Sequence, residues 1–71
     1  MGSYRPDQLR VEDIIQVGAC KGPVTAEAVR DQHGRLAVVF VCWGHGVRHT
    51  VAMPPTRLVS VVCRAPRVVA A

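Results

Sequence analysis

The stretch Leu36-Ala37-Val38-Val39-Phe40-Val41-Cys42-Trp43 decides the fold: it carries no charge, is rich in β-branched and aromatic side chains, and lies between Gly34-Arg35 and Gly44-His45-Gly46. Such side chains suit a pleated surface and the flanking glycines punctuate the run, so it reads as a strand. Side chains alternate across a strand, which sends Leu36, Val38, Phe40 and Cys42 one way and Ala37, Val39, Val41 and Trp43 the other. Both sets are apolar, so both faces call for cover. The first is expected to line a core. The second is expected to be covered by Leu9 and the Val68 to Ala71 tail, or by another molecule.

Outward from this strand the same texture repeats. Valine-rich runs separated by Gly, Pro, His and Asp predict strands over Ile14 to Ala19, Val24 to Arg30, Val47 to Met53 and Leu58 to Cys63. Lys21-Gly22-Pro23 reads as a turn, Asp31-Gln32-His33-Gly34 as a hairpin turn, and Gly44-His45-Gly46 as a second hairpin. Pro54-Pro55-Thr56-Arg57 lacks two consecutive N–H donors and must break the ladder. Near the start, Pro6-Asp7-Gln8-Leu9 supports one or two helical turns at most. The reading is a five-stranded all-β small barrel: an N-terminal arm over 1–12, the barrel over 13–64 and a tail over 65–71.

The chain has 71 residues, room for one small domain close to the lower limit of independent stability. At 49% hydrophobic and 20% charged it is too apolar for a disordered chain. Its longest uncharged stretch, Leu36 to Val47, is shorter than the roughly 20 apolar residues that cross a bilayer, and its start has no apolar signal region, so no membrane is expected. Three widely spaced cysteines, Cys20, Cys42 and Cys63, are unlike the dense even sets of secreted domains and suit a reducing, cytoplasmic setting. Lys+Arg 9 against Asp+Glu 5 gives a formal charge of +4, almost all of it arginine, since Lys21 is the only lysine. Arginine with abundant Val, Ala, Gly and Pro points to a bacterial or phage source of high GC content.

The order of elements resembles the SH3-like small barrels, in particular the Tudor and KOW types. Phe40-Val41-Cys42-Trp43-Gly44 places a phenylalanine, a second aromatic and a glycine as Tudor strands do. Asp13-Ile14-Ile15-Gln16-Val17 is similar to the opening strand of both types, Lys21-Gly22 to the KOW loop, and Leu58 falls where the closing strand begins. The likeness covers Asp13 to Cys63 at the level of a superfold. The second KOW glycine is missing, and Cys42 stands where Tudor domains carry an acidic residue. A methyl-ligand cage needs three or four rings; with one Trp, one Tyr and one Phe the chain cannot build it. What the resemblance implies is a scaffold for contacts to nucleic acid or to a larger protein.

Cys42-x-x-His45-x-x-x-His49, with Cys20 and Cys63 elsewhere, offers ligand types that zinc accepts. No Cys-x-x-Cys knuckle is present, Cys42 is expected to face the core, and the two sides of a hairpin need not converge, so neither metal nor cofactor is expected. Catalysis finds no cysteine or serine set beside a base in a cleft, and Gly44-x-Gly46 is too short to cradle a phosphate. Arg48, His49, Arg57 and His45 are expected to share one rim with Trp43, and Arg35 to lie at the opposite end of the strand. Charge beside a stacking surface is what single-stranded nucleic acid requires of a groove. The functional expectation is therefore a non-enzymatic, cytoplasmic adaptor that binds nucleic acid or a nucleic-acid-handling protein and takes no small-molecule substrate. The alternative is a structural or oligomeric subunit, such as a phage virion component, that uses the outer apolar face.

Overall fold

The computed structural model describes residues 2–66 and contains six strands: β1 (Gly2–Tyr4), β2 (Ile14–Val17), β3 (Cys20–Arg30), β4 (Leu36–Val41), β5 (Arg48–Met53) and β6 (Val59–Cys63). A single 3₁₀ turn spans Pro6–Gln8. The strands form one antiparallel sheet in the order β1-β6-β2-β3-β4-β5. The all-β class and the short N-terminal turn agree with the sequence; the count of five strands does not. The additional strand is β1, where Gly2, Ser3 and Tyr4 pair with Val61, Ser60 and Val59. Gly-Ser-Tyr carries no apolar alternation, so its pairing is supplied by the exposed edge of β6 and not by its own pattern. Nor do the described strands close into a barrel, because β1 and β5 each have one neighbour.

The bend that gives the sheet an inside lies in β3. Its first part, Cys20 to Pro23, pairs with β2, and Val24 to Arg30 pairs with β4 through two register shifts. Lys21-Gly22-Pro23, expected as a turn, is thus strand. The turn falls earlier, at Gly18-Ala19, where Gly18 adopts a φ of 59° and Val17 faces Cys20. A two-residue hairpin needs that positive φ, and glycine reaches it without a steric cost. Proline is tolerated in β3 because the neighbouring ladder bond is made by Val24, whose N–H donates to the Asp13 carbonyl at 2.9 Å.

The core is the inner face of this bent sheet: Leu9, Ile15, Val24, Val38, Phe40, Met53, Val59 and Val61 pack together. Alternation along β4 is as read from the sequence, with Leu36, Val38, Phe40 and the following Cys42 buried. On the other face Ala37, Val39 and Val41 are half-buried, while Trp43 is 61% exposed. Leu9 does not cover that outer face. It lies in the core cluster with Phe40, because the 3₁₀ turn folds it against the inner side of the sheet. The expected Val68 to Ala71 cover lies outside the described residues.

Asp13, fully buried, ties the segment after the 3₁₀ turn to the segment that follows β6. Its carboxylate accepts the Arg10 N–H at 2.8 Å and the Ala65 N–H at 2.6 Å, and Arg64 Nε lies 3.5 Å from it. The Arg64 guanidinium also covers the Tyr4 ring at 4.0 Å and donates to the Gln8 carbonyl at 2.6 Å. No helix among the described residues is long and apolar enough to cross a membrane.

Candidate metal centre

At the end of the sheet where β3 begins and β4 stops, Cys20, Cys42, His45 and His49 converge, each carried by a different local geometry. Cys20 opens β3 immediately after the Gly18-Ala19 hairpin. Cys42 follows the last residue of β4 and continues its inward alternation. What joins these two is backbone: the Trp43 N–H donates to the Lys21 carbonyl at 2.9 Å, and the Val41 carbonyl crosses Gly22 more closely than a side chain would allow.

His45 belongs to the connection between β4 and β5. Cys42 N–H donates to the Val47 carbonyl at 3.0 Å and Gly46 N–H to the Cys42 carbonyl at 2.7 Å, with Gly46 at a φ of 67°. This tight closure folds His45 back over Cys42. Its Nδ1 accepts the Val47 N–H at a long 3.3 Å. His49 is placed by register, opposite Phe40 on β5, so its side chain turns inward. The His49 ring stacks on Phe40 with centroids 5.6 Å apart and meets the His45 ring edge-on at 5.3 Å. Its Nε2 is buried and has no hydrogen-bond partner among the described residues.

The four donor atoms all lie within 4.8 Å of one another. In a tetrahedral zinc site, with Zn–S about 2.3 Å and Zn–N about 2.0 Å, donors stand roughly 3.3 to 3.8 Å apart. Closing the difference takes about 1 Å, within reach of side-chain rotation at His45, which is exposed. The two thiols are unequal. The Gly44 N–H chiefly, then the Cys20 thiol and the Lys21 and His45 amides, hold the Cys42 thiol below its ordinary pKa against the opposing effect of burial. Cys20 is pushed up, first by its hydrogen bond to Cys42, then by burial and by the neighbouring charge.

Of the grounds for expecting no metal, the one the fold changes is convergence. Cys42 does face inward, but the hairpin converges instead of diverging, and the fourth donor comes from Cys20, which no local motif linked to it. The visible signal was the Cys42-x-x-His45-x-x-x-His49 spacing; the missing one was the crossing at Gly22. Cys63, by contrast, is exposed on β6.

The expected rim is divided by the same geometry. Trp43, His45 and Arg48 lie at the β4–β5 loop, joined through the backbone by Lys21, which sequence reasoning had left aside. His49 points inward, onto Phe40 and against the His45 ring, off the outer surface of the loop. Arg57 lies in the turn that follows Met53, at the far end of β5 and a strand length of about 17 Å from Arg48. Arg35 is at the β3–β4 hairpin, where it pairs with Asp31 at 3.6 Å. No protein-family model matches the chain, and no curated protein or solved structure matches it.

Proposed function

We propose that the chain is a non-enzymatic binding module for single-stranded nucleic acid, seated at the loop that joins β4 to β5. The observation that carries this reading is Trp43, 61% exposed at a loop tip. Its backbone is bonded to Lys21, and Arg48 begins the next strand. An exposed indole, on backbone bonded to Lys21 and close in the chain to Arg48, offers a base something to stack on, with cations nearby for a phosphate. The described residues form no pocket, which favours a surface contact over chemistry in a cleft. An SH3-like fold of Tudor or KOW type, left open among the described strands, is the scaffold proposed for the sheet, supported by the β2 to β5 meander and by the turn after Met53.

The test is fluorescence anisotropy with mixed-sequence single- and double-stranded oligonucleotides, at low and at physiological salt. Binding that weakens steeply with salt and is lost in a Lys21→Glu, Arg48→Glu double variant supports the reading; absence of binding at low salt defeats it. A bacterial or phage structural subunit is the second reading. The half-buried outer face of Val39 and Val41, continued by Val29 at 67% exposure, favours it, and light scattering on the purified chain would detect the assembly.

A further inference from the structure

We propose that Cys20, Cys42, His45 and His49 together bind one zinc ion, which cross-links the start of β3 to the β4–β5 hairpin as a structural element. This inference is independent of the nucleic-acid reading and stands if that reading fails.

Two observations carry it. Donor atoms from four separate side chains lie within 4.8 Å of one another, although Cys20 is far from the other three in sequence. Independently, the His49 Nε2 atom is buried without a hydrogen-bond partner among the described residues. A buried polar atom left unpaired is costly, and a histidine grouped with two thiols and a second imidazole can satisfy it by binding a metal. The donor set selects the metal: two thiolates with two imidazoles in a tetrahedral arrangement suit zinc, whereas magnesium and calcium prefer oxygen ligands. All four positions are filled by protein, leaving none for a reacting water, so the site is structural.

The position explains what the ion would do. His49 rests on Phe40, a central core residue, and Cys20 packs against the same core. A cation bonded to both therefore cross-links the β4–β5 hairpin to the start of β3, where the Trp43–Lys21 backbone bond already brings the two together. Small domains gain most from such a fastening, since their cores bury little area. Binding converts two thiols and a zinc ion into two zinc–thiolate bonds and releases two protons, with the neutral imidazoles contributing lone pairs. If His45 binds through Nδ1, the weak bond from the Val47 N–H is given up.

The test uses the full chain purified under reductant, stripped with a chelator, and titrated with zinc and with cobalt(II). The expected result is one equivalent bound, a cobalt spectrum with tetrahedral ligand-field bands and a thiolate charge-transfer band, and a melting temperature that rises with zinc and falls on chelation. Of the three cysteines, only Cys63 should remain reactive toward a thiol reagent once zinc is bound. Cys20→Ser and the exposed-loop variant His45→Ala should each weaken zinc by more than the roughly 10- to 100-fold that loss of a supporting residue costs. His45→Ala leaves the core untouched, so it keeps the test valid if Cys20→Ser fails to fold. Failure to bind metal stoichiometrically overturns the proposal, as does binding undiminished in both variants. Stabilisation abolished by reductant but not by chelator would also overturn it, making Cys20 and Cys42 a disulfide pair.

Discussion

The carbonyl oxygen of Val41 lies 1.6 Å from the point that a Cβ on Gly22 would occupy. Two backbones cross there with no room for a side chain, and the crossing is what carries Cys20 to Cys42. Neither atom of the contact is a flexible side-chain end, so relief requires a strand to move. Gly22→Ala should therefore separate the start of β3 from the end of β4, costing about 3 kcal/mol by analogy with severe overpacking, and weaken metal binding along with stability. Urea unfolding reads the first effect and cobalt titration the second. Gly44→Ala is the control: its nearest neighbour would be the Cys42 Sγ at an ordinary 3.9 Å, and its stability should stay within about 0.5 kcal/mol of the parent.

Asp13 supplies a second point at which one residue holds distant parts of the chain. Replacing it with alanine leaves the Arg10 and Ala65 amides without their acceptor and Arg64 without its counter-charge. Loss of one partner from a buried charged network costs about 3 to 5 kcal/mol. Asp13→Ala should show this in chemical denaturation, with greater proteolysis around Arg10 and Ala65 than in the parent. An unchanged midpoint would mean that these two segments dock without it.

Phe40→Ala tests the core and the metal end together, because the ring is 1% exposed and stacks on His49. Truncating a buried phenylalanine costs about 3 to 5 kcal/mol, comparable with the whole stability of a domain this small. The variant should be unfolded or nearly so without metal. Saturating zinc should recover part of the fold, since a ligand that binds only the native state stabilises it by mass action. Circular dichroism with and without zinc distinguishes this outcome from one in which the metal plays no part.

How much of this was legible in the sequence follows from the range of the forces involved. The inner face of β4, the Asp31 to Gly34 hairpin and the break after Met53 were readable because each depends on a few adjacent residues: alternation, a glycine at positive φ, two consecutive prolines. Strand β1 was not, because Gly2-Ser3-Tyr4 becomes a strand only when β6 presents its edge. Lys21-Gly22-Pro23 looked like a turn because glycine and proline usually mark one; here the glycine makes room for a crossing carbonyl, and the proline sits where Val24 makes the ladder bond. Of the candidate metal cluster the sequence showed three ligand residues at a suggestive spacing and was read against a metal. Cys42, His45 and His49 lie within one hairpin, whereas Cys20 arrives through a tertiary contact that no spacing encodes.

Trp43 carries the prediction nearest to function. At 61% exposure its side chain contributes little to the core, so Trp43→Ala should leave the melting temperature close to that of the parent, the usual result for a surface position. If bases stack on the indole, the same substitution should weaken single-stranded oligonucleotide binding by about 1 to 3 kcal/mol, and the parent's tryptophan fluorescence should be quenched on titration. Because Trp43 is the only tryptophan, the signal has one source. Arg48→Glu should act differently, reducing affinity most at low salt and flattening the salt dependence, since it removes a charge and not a stacking surface. Arg35→Glu, at the far hairpin and already paired with Asp31, should have a smaller effect than Arg48→Glu. Equal losses from Arg35→Glu and Arg48→Glu, with no quenching of Trp43, would indicate diffuse attraction to a basic chain and remove the loop from the binding site.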